Sequence, residues 1–228
     1  MIRQNPIHTL AMSLLGLTFV IPLSACSSTS SRGGDRVNEI DPAIAYKRRQ
    51  RAEAREHYQL ATELAQEGKN DEALEEYRAA LELDDQLYAA WNNMGQLLMN
   101  ERNYADAVAA FQIAAGIEPT DPRPLYNTGL AYQRVGWASD AYASYERALS
   151  RDPLYLPAMR GLVRSAEMLG SSSIQLRETI KQAQLRENDE QWRDYFRAQY
   201  DRVELLLDSR KRPNNYDPNR ESTPEGDE

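Results

Sequence analysis

The residue in this sequence best placed for covalent chemistry is Cys26, the only cysteine among 228 residues. One cysteine cannot form an intrachain disulfide. The two histidines are His8 and His57, too few for a histidine-based metal site. The chain shows no Gly-rich phosphate loop, no Ser-x-x-Lys and no Cys/His metal spacing. Carboxylates pair at Glu75-Glu76 and Asp84-Asp85. A catalytic acid needs a pocket that raises its pKa, and these pairs read as exposed helix faces and turns. A triad around His57 would need a serine on a helix without an oxyanion loop. No catalytic residue, cofactor, metal or small-molecule substrate is expected. A net charge of −8, from 27 basic and 35 acidic side chains, argues against a general nucleic-acid binder.

The surroundings of Cys26 give it a role. Arg3 precedes an apolar run, Leu10 to Ile21, too short to span a membrane but suited to a signal-peptide core. The run leads into Leu23-Ser24-Ala25-Cys26, which resembles the lipobox of bacterial lipoproteins. The resemblance implies diacylglycerol on the Cys26 sulfur, cleavage after Ala25 and acylation of the new amino terminus; the alternatives are an ordinary signal peptide or an uncleaved anchor. Two or three acyl chains, at about 0.8 kcal/mol per buried methylene, would hold the protein on a membrane. Ser27 stands where an Asp, by the same resemblance, would retain a lipoprotein in the inner membrane. The expected location is therefore the periplasmic face of the outer membrane. Residues 1–25 read as the signal peptide and 26–40, Ser- and Gly-rich at the start, as a flexible tether.

The remainder repeats itself. Ala73, Ala107 and Ala141 are 34 residues apart; aromatics follow four later at Tyr77, Phe111 and Tyr145, and alanines three later again at Ala80, Ala114 and Ala148. Twelve residues before each first alanine stand Ala61, Gly95 and Gly129. Small residues let two helices approach closely, and the aromatic one turn on fills the gap to a neighbour. Gly68 and Gly136 sit where a first helix should end. Asn70-Asp71 and Ser139-Asp140 would then cap the second. With Trp91, Gly95, Leu98, Ala107, Phe111, Ala114 and Pro119 in place, the pattern resembles the tetratricopeptide repeat (TPR) family. The units are 54–87, 88–121 and 122–155. A degenerate fourth, 156–189, has Gln175, Thr179 and Gln182 in place of the Ala, aromatic and Ala.

The resemblance implies an all-α fold: a short right-handed α-solenoid of TPR helix pairs, here closed by a C-terminal capping helix. It also implies a concave groove lined by the first helix of each pair. The groove positions include Arg55, Tyr58, Thr62, Asn92, Asn93, Gln96, Arg123, Tyr126, Asn127, Leu130, Gln133, Arg160, Arg164 and Glu167. Asn93 and Asn127 occupy the place where related domains bond a peptide backbone, and an amide can pair with any extended chain. Arg123, Arg160 and Arg164 would fork onto carboxylates. The expected partner is a protein or extended peptide, acidic in part. Chaperone-type members of the family clamp a terminal carboxylate with Lys and Asn where Tyr58 and Thr62 stand here, a departure that argues against that ligand.

Flanking segments complete the layout of the array, 41–189. Asp41-Pro42 starts a long helix running to Gln66. Its first half carries Lys47, Arg48, Arg49 and Arg51, either as a solvated face, with Arg49 paired to Glu53, or for contact with anionic headgroups. Residues 190–211, with Trp192, Tyr195, Phe196, Gln199, Val203, Leu206 and Leu207 at helical spacing, read as a cap or else as a docking helix. Residues 212–228 have little to bury and read as disordered. Two functions fit. One is an envelope TPR lipoprotein that recruits a multiprotein machine, in layout similar to pilotin-type proteins. The other is a modulator of an envelope-polymer enzyme, or such an enzyme itself, and it would need a pocket with a perturbed titratable group.

Overall fold

The structure, a computed structural model, describes residues 41–211. Residues 1–40, with the expected signal peptide, Cys26 and tether, and residues 212–228, expected to be disordered, lie outside the described residues. Nine α-helices make up the described part: α1 Pro42–Gln66, α2 Asn70–Leu83, α3 Tyr88–Asn100, α4 Tyr104–Ile117, α5 Arg123–Arg134, α6 Ala138–Arg151, α7 Leu156–Met168, α8 Ile174–Arg186 and α9 Glu190–Lys211. The Asp41 side chain accepts the Ala43 amide at 2.8 Å and Pro42 opens α1, so this start is set by local chemistry alone.

Each odd-numbered helix from α1 to α7 ends in the same way. Gly68, Arg102, Gly136 and Gly170 all have positive φ and recur every 34 residues. At each, the next residue's amide reaches back to a carbonyl five positions earlier, as from Lys69 to Leu64 at 2.9 Å and from Asn103 to Leu98 at 2.8 Å. Three glycines adopt this conformation freely; Arg102, at φ 62°, strains to match them. The tight turn starts the next helix at once. α2 and α6 therefore begin at Asn70 and Ala138, and no side chain caps them. Asn70 and Ser139 fall within the first turn rather than at the cap, and Asn70 donates instead to Glu101 of the next pair.

Helix pairs close over the small residues. Ala61, Ala73, Ala107 and Ala141 are fully buried, as are Phe111 and Tyr145, and Tyr77 is nearly so. A Cβ on Gly95 would lie 2.7 Å from Phe111 Cε1, and one on Gly129 would lie 2.6 Å from Tyr145 Cε1. Each glycine thus leaves room for the aromatic of its own pair. Gly161 does the same for Tyr145 from the following pair. Phe111, fully buried, contributes roughly 1.5–3 kcal/mol. Trp91 packs on this core half-buried, with its indole N–H on the Asp85 carbonyl at 2.8 Å.

The fourth pair keeps the packing pattern that the fixed spacing assigned to Gln175, Thr179 and Gln182. Leu176, Ile180 and Ala183 are buried with the same i, i+4, i+7 spacing, one residue late. The Ser171-Ser172-Ser173 turn carries the extra residue, and Ser173 caps α8 by accepting the Leu176 amide at 3.0 Å. α9 packs on α8 and also touches α7. Phe196 and Val203 are fully buried there. Successive odd-numbered helices touch one another from α1 to α9, whereas among the described residues α2, α4, α6 and α8 do not touch each other. The odd-numbered helices therefore form the inner, concave wall.

Candidate functional site

The inner wall carries a seam of amides. Asn127 on α5 donates to Asn92 Oδ1 on α3 at 3.1 Å, Asn92 to Asn93 Oδ1 at 3.4 Å, and Asn93 to the Tyr58 hydroxyl on α1 at 3.1 Å. Asn92 and Asn127 are 7% and 8% exposed, so they tie helices together before they meet any ligand. Each carboxamide still has capacity, since it carries two donors and two acceptor lone pairs. Asn93 is half-buried and Gln96, one turn along α3, is exposed.

The three groove arginines divide by partner. Arg123 grips Asp121, which also accepts the Tyr88 hydroxyl at 2.6 Å. Those bonds outweigh burial and hold the Asp121 carboxyl below its usual range. Arg160 forks onto Glu187 at 2.7 and 2.6 Å. The Glu187 side chain is 2% exposed, and the Arg160 fork chiefly, with the Asp189 and Asn188 amides, holds its carboxyl below the usual range against the pull of burial. Arg160 is thus committed to the α8–α9 connection instead of a ligand. Arg164 is exposed and meets no carboxylate among the described residues. Its guanidinium lies 4.8 Å from the Trp192 ring, as does that of Arg160. A cation over an indole face gains roughly 0.5–2 kcal/mol.

These groups frame a hollow of about 220 Å³ at the α7 end of the groove, lined by Tyr126, Leu130, Gln133, Arg160, Arg164 and Trp192. Its Tyr126 ring stacks edge-on with Tyr155 at 5.6 Å. Gln133 accepts the Tyr145 hydroxyl at 3.1 Å. Trp192 closes the hollow from α9, because Glu167 on α7 accepts from Tyr195 at 2.8 Å and Gln199 at 2.7 Å and so fixes the start of α9 over the inner wall. The fixed 34-residue spacing does not reach Trp192; Glu167 at a groove position and the polar Gln199 within an apolar stripe were the available signals.

Outside the groove, His57 is half-buried, with Nδ1 2.6 Å from Glu76 Oε2. A larger hollow of about 440 Å³ lies along the turn edge beside Tyr104, Val108, Ala131 and Trp137. It reaches Ala131 and Tyr132 of α5 but none of the expected groove residues, and Trp137 there is 60% exposed and stacked on Tyr132.

Residues 58–122 and 122–153 match the tetratricopeptide repeat family. The chain carries TPR repeats. Protein O-mannosyl-transferase TMTC3 of Mus musculus is 30% identical over 144 residues, 59% of this chain and 16% of that protein. Superkiller complex protein 3 of Mus musculus is 24% identical over 107 residues, 47% of this chain and 7% of that one. The chain thus spans a small part of these relatives. Among solved structures, that of Pseudomonas aeruginosa pilF superposes with a TM-score of 0.55 at 20% identity, covering 68% of this chain and 75% of that one. MamA gives 0.50 at 18% identity, covering 74% and 88%. The first TPR of Spaghetti (RPAP3), bound to the HSP90 peptide SRMEEVD, gives 0.50 at 20%, covering 53% and 96%. These likenesses show the TPR solenoid fold.

Proposed function

We propose that this TPR protein is a lipid-anchored scaffold of a bacterial cell envelope, held through Cys26 on the periplasmic face of the outer membrane, which seats an extended segment of a partner protein in its concave groove. The observation that carries the groove reading is the amide seam leading to a hollow where Arg164 meets no carboxylate among the described residues. Amides take a peptide backbone of any sequence, and an unpaired guanidinium selects a carboxylate. A TPR module of the same fold holds an acidic peptide, which supports an acidic segment as ligand here. The Leu23-Ser24-Ala25-Cys26 motif supports the anchor.

Crosslinking and affinity purification of the intact protein from its own membrane tests both halves. Arg164→Glu should lose the captured partner, because charge reversal adds repulsion to the lost bonds. Arg78→Glu and Arg147→Glu, exposed on the second helices α2 and α6, should retain it. Equal capture by all three variants would move the binding surface out of the groove. Separately, Cys26→Ser should remain unprocessed and take up no labelled fatty acid; continued labelling would remove the anchor.

A further inference from the structure

α1 is 25 residues long, against 14 for α2 and 13 for α3. Its leading part forms an arm that runs along and past the end of α2, where Lys47, Gln50 and Arg51 border a shallow hollow with Glu82, Leu83, Asp84 and Asp85. Residues 41–49 are all exposed, and the first buried position on α1 is Ala54. This arm carries Lys47, Arg48, Arg49 and Arg51 against the acids Asp41 and Glu53, on a chain of net charge −8. Among the described residues Lys47, Arg48 and Arg49 meet no carboxylate. The pairing of Arg49 with Glu53 does not form; Arg49 lies over the Tyr46 ring at 5.5 Å. Arg51 reaches Asp84 only at 3.8 Å. At 100° per residue Ile44, Lys47, Arg48 and Arg51 share one face, and Ile44 and Tyr46 are about half exposed.

We propose that this arm docks on an anionic phospholipid surface, its cations on the phosphates and Ile44 in the interface. A helix held only by its own hydrogen bonds is marginal at this length, so a surface that covers it is also what stabilises it. The choice of surface follows from the surroundings. The groove holds a ligand between neighbouring first helices, whereas the arm's one neighbour among the described residues, the end of α2, sets Glu82, Asp84 and Asp85 beside Lys47 and Arg51 and would repel an acidic peptide wedged there. A plane of headgroups needs only one exposed basic face. The acidic remainder of the chain is repelled by the same plane, so the array would stand off the membrane. The groove reading is independent of this docking. The anchor reading matters only in bringing the arm near a bilayer, and vesicles supplied in solution test the arm without it.

The experiment is hydrogen exchange of the full chain with vesicles of phosphatidylcholine alone or mixed with phosphatidylglycerol. An apolar leader or acyl chains would enter either vesicle, so the readout is confined to amides 43–52. Those amides should slow about 10-fold or more on the anionic vesicles only, and recover in high salt. Lys47→Gln with Arg48→Gln and Arg49→Gln should weaken the docking about 100-fold and abolish the protection. Arg78→Gln with Arg134→Gln and Arg147→Gln, which remove the same charge elsewhere, should not. Equal exchange on both vesicles overturns the proposal. So does protection of the arm by a polyglutamate peptide but not by phosphatidylglycerol, which would make it a seat for an acidic protein.

Discussion

Asn127 and Asn92 bond side chain to side chain at 3.1 Å across the inner wall, joining α5 to α3 in nearly complete burial. The pair is therefore a structural tie as well as a candidate ligand contact, and the two roles separate by substitution. Asn127→Ala strands a buried carbonyl oxygen and should cost about 1–3 kcal/mol in urea unfolding. Asn92→Leu with Asn127→Leu removes both partners, and should cost less than the two single changes added together. The double variant should still weaken partner capture, since Asn127, one of the two amides proposed to bond a peptide backbone, is gone. A strictly additive double-mutant cycle would mean that the tie contributes nothing.

The strained residue at the second turn offers a test of the repeat's own rule. Arg102 holds the left-handed position that glycine fills at 68, 136 and 170. Arg102→Gly should raise stability by about 0.5–1 kcal/mol, the steric relief exceeding the added freedom of the unfolded chain. Gly136→Ala should lower it by a similar amount. Thermal melts followed by circular dichroism would show both; no rise for Arg102→Gly would mean that its side chain makes up the strain elsewhere.

The Arg160–Glu187 fork should make the α8–α9 end sensitive to acid. Glu187 has its pKa lowered in the folded protein by Arg160. Below the unfolded glutamate pKa of about 4.3 the unfolded chain binds the extra proton first. The stabilisation is therefore complete above that pH, and is lost as pH falls from there through the lowered folded pKa. Glu187→Gln should flatten this part of the stability–pH profile. Arg160→Ala should cost about 1.5–3 kcal/mol at neutral pH by leaving a buried carboxylate with two of its bonds missing. An unchanged acid limb in Glu187→Gln would place the sensitivity at another carboxylate.

Much of this architecture was legible in sequence because a repeat writes its packing in local spacing. The 34-residue recurrence of Ala73, Ala107 and Ala141 with Tyr77, Phe111 and Tyr145 gave the helix pairs, since a helix turn fixes which side chains share a face. Asp41-Pro42 gave the start of α1 for the same reason. A fixed period could not follow the extra residue at Ser171–Ser173, so the intact trio Leu176, Ile180 and Ala183 read as decay.

What the sequence determined by itself was the set of inner-wall residues: the asparagines, Tyr58, Tyr126 and the arginines. Only the tertiary structure decided which of them are at liberty. Asn92, Asn93 and Asn127 are joined into one seam, Arg160 is held by Glu187, and Arg164 is left facing a hollow that Trp192 closes. The physical reason is that ion pairs and hydrogen bonds are settled by distance in space. Glu187 lies 27 residues from Arg160, beyond α8, and no helical periodicity relates the two until α8 and α9 have packed.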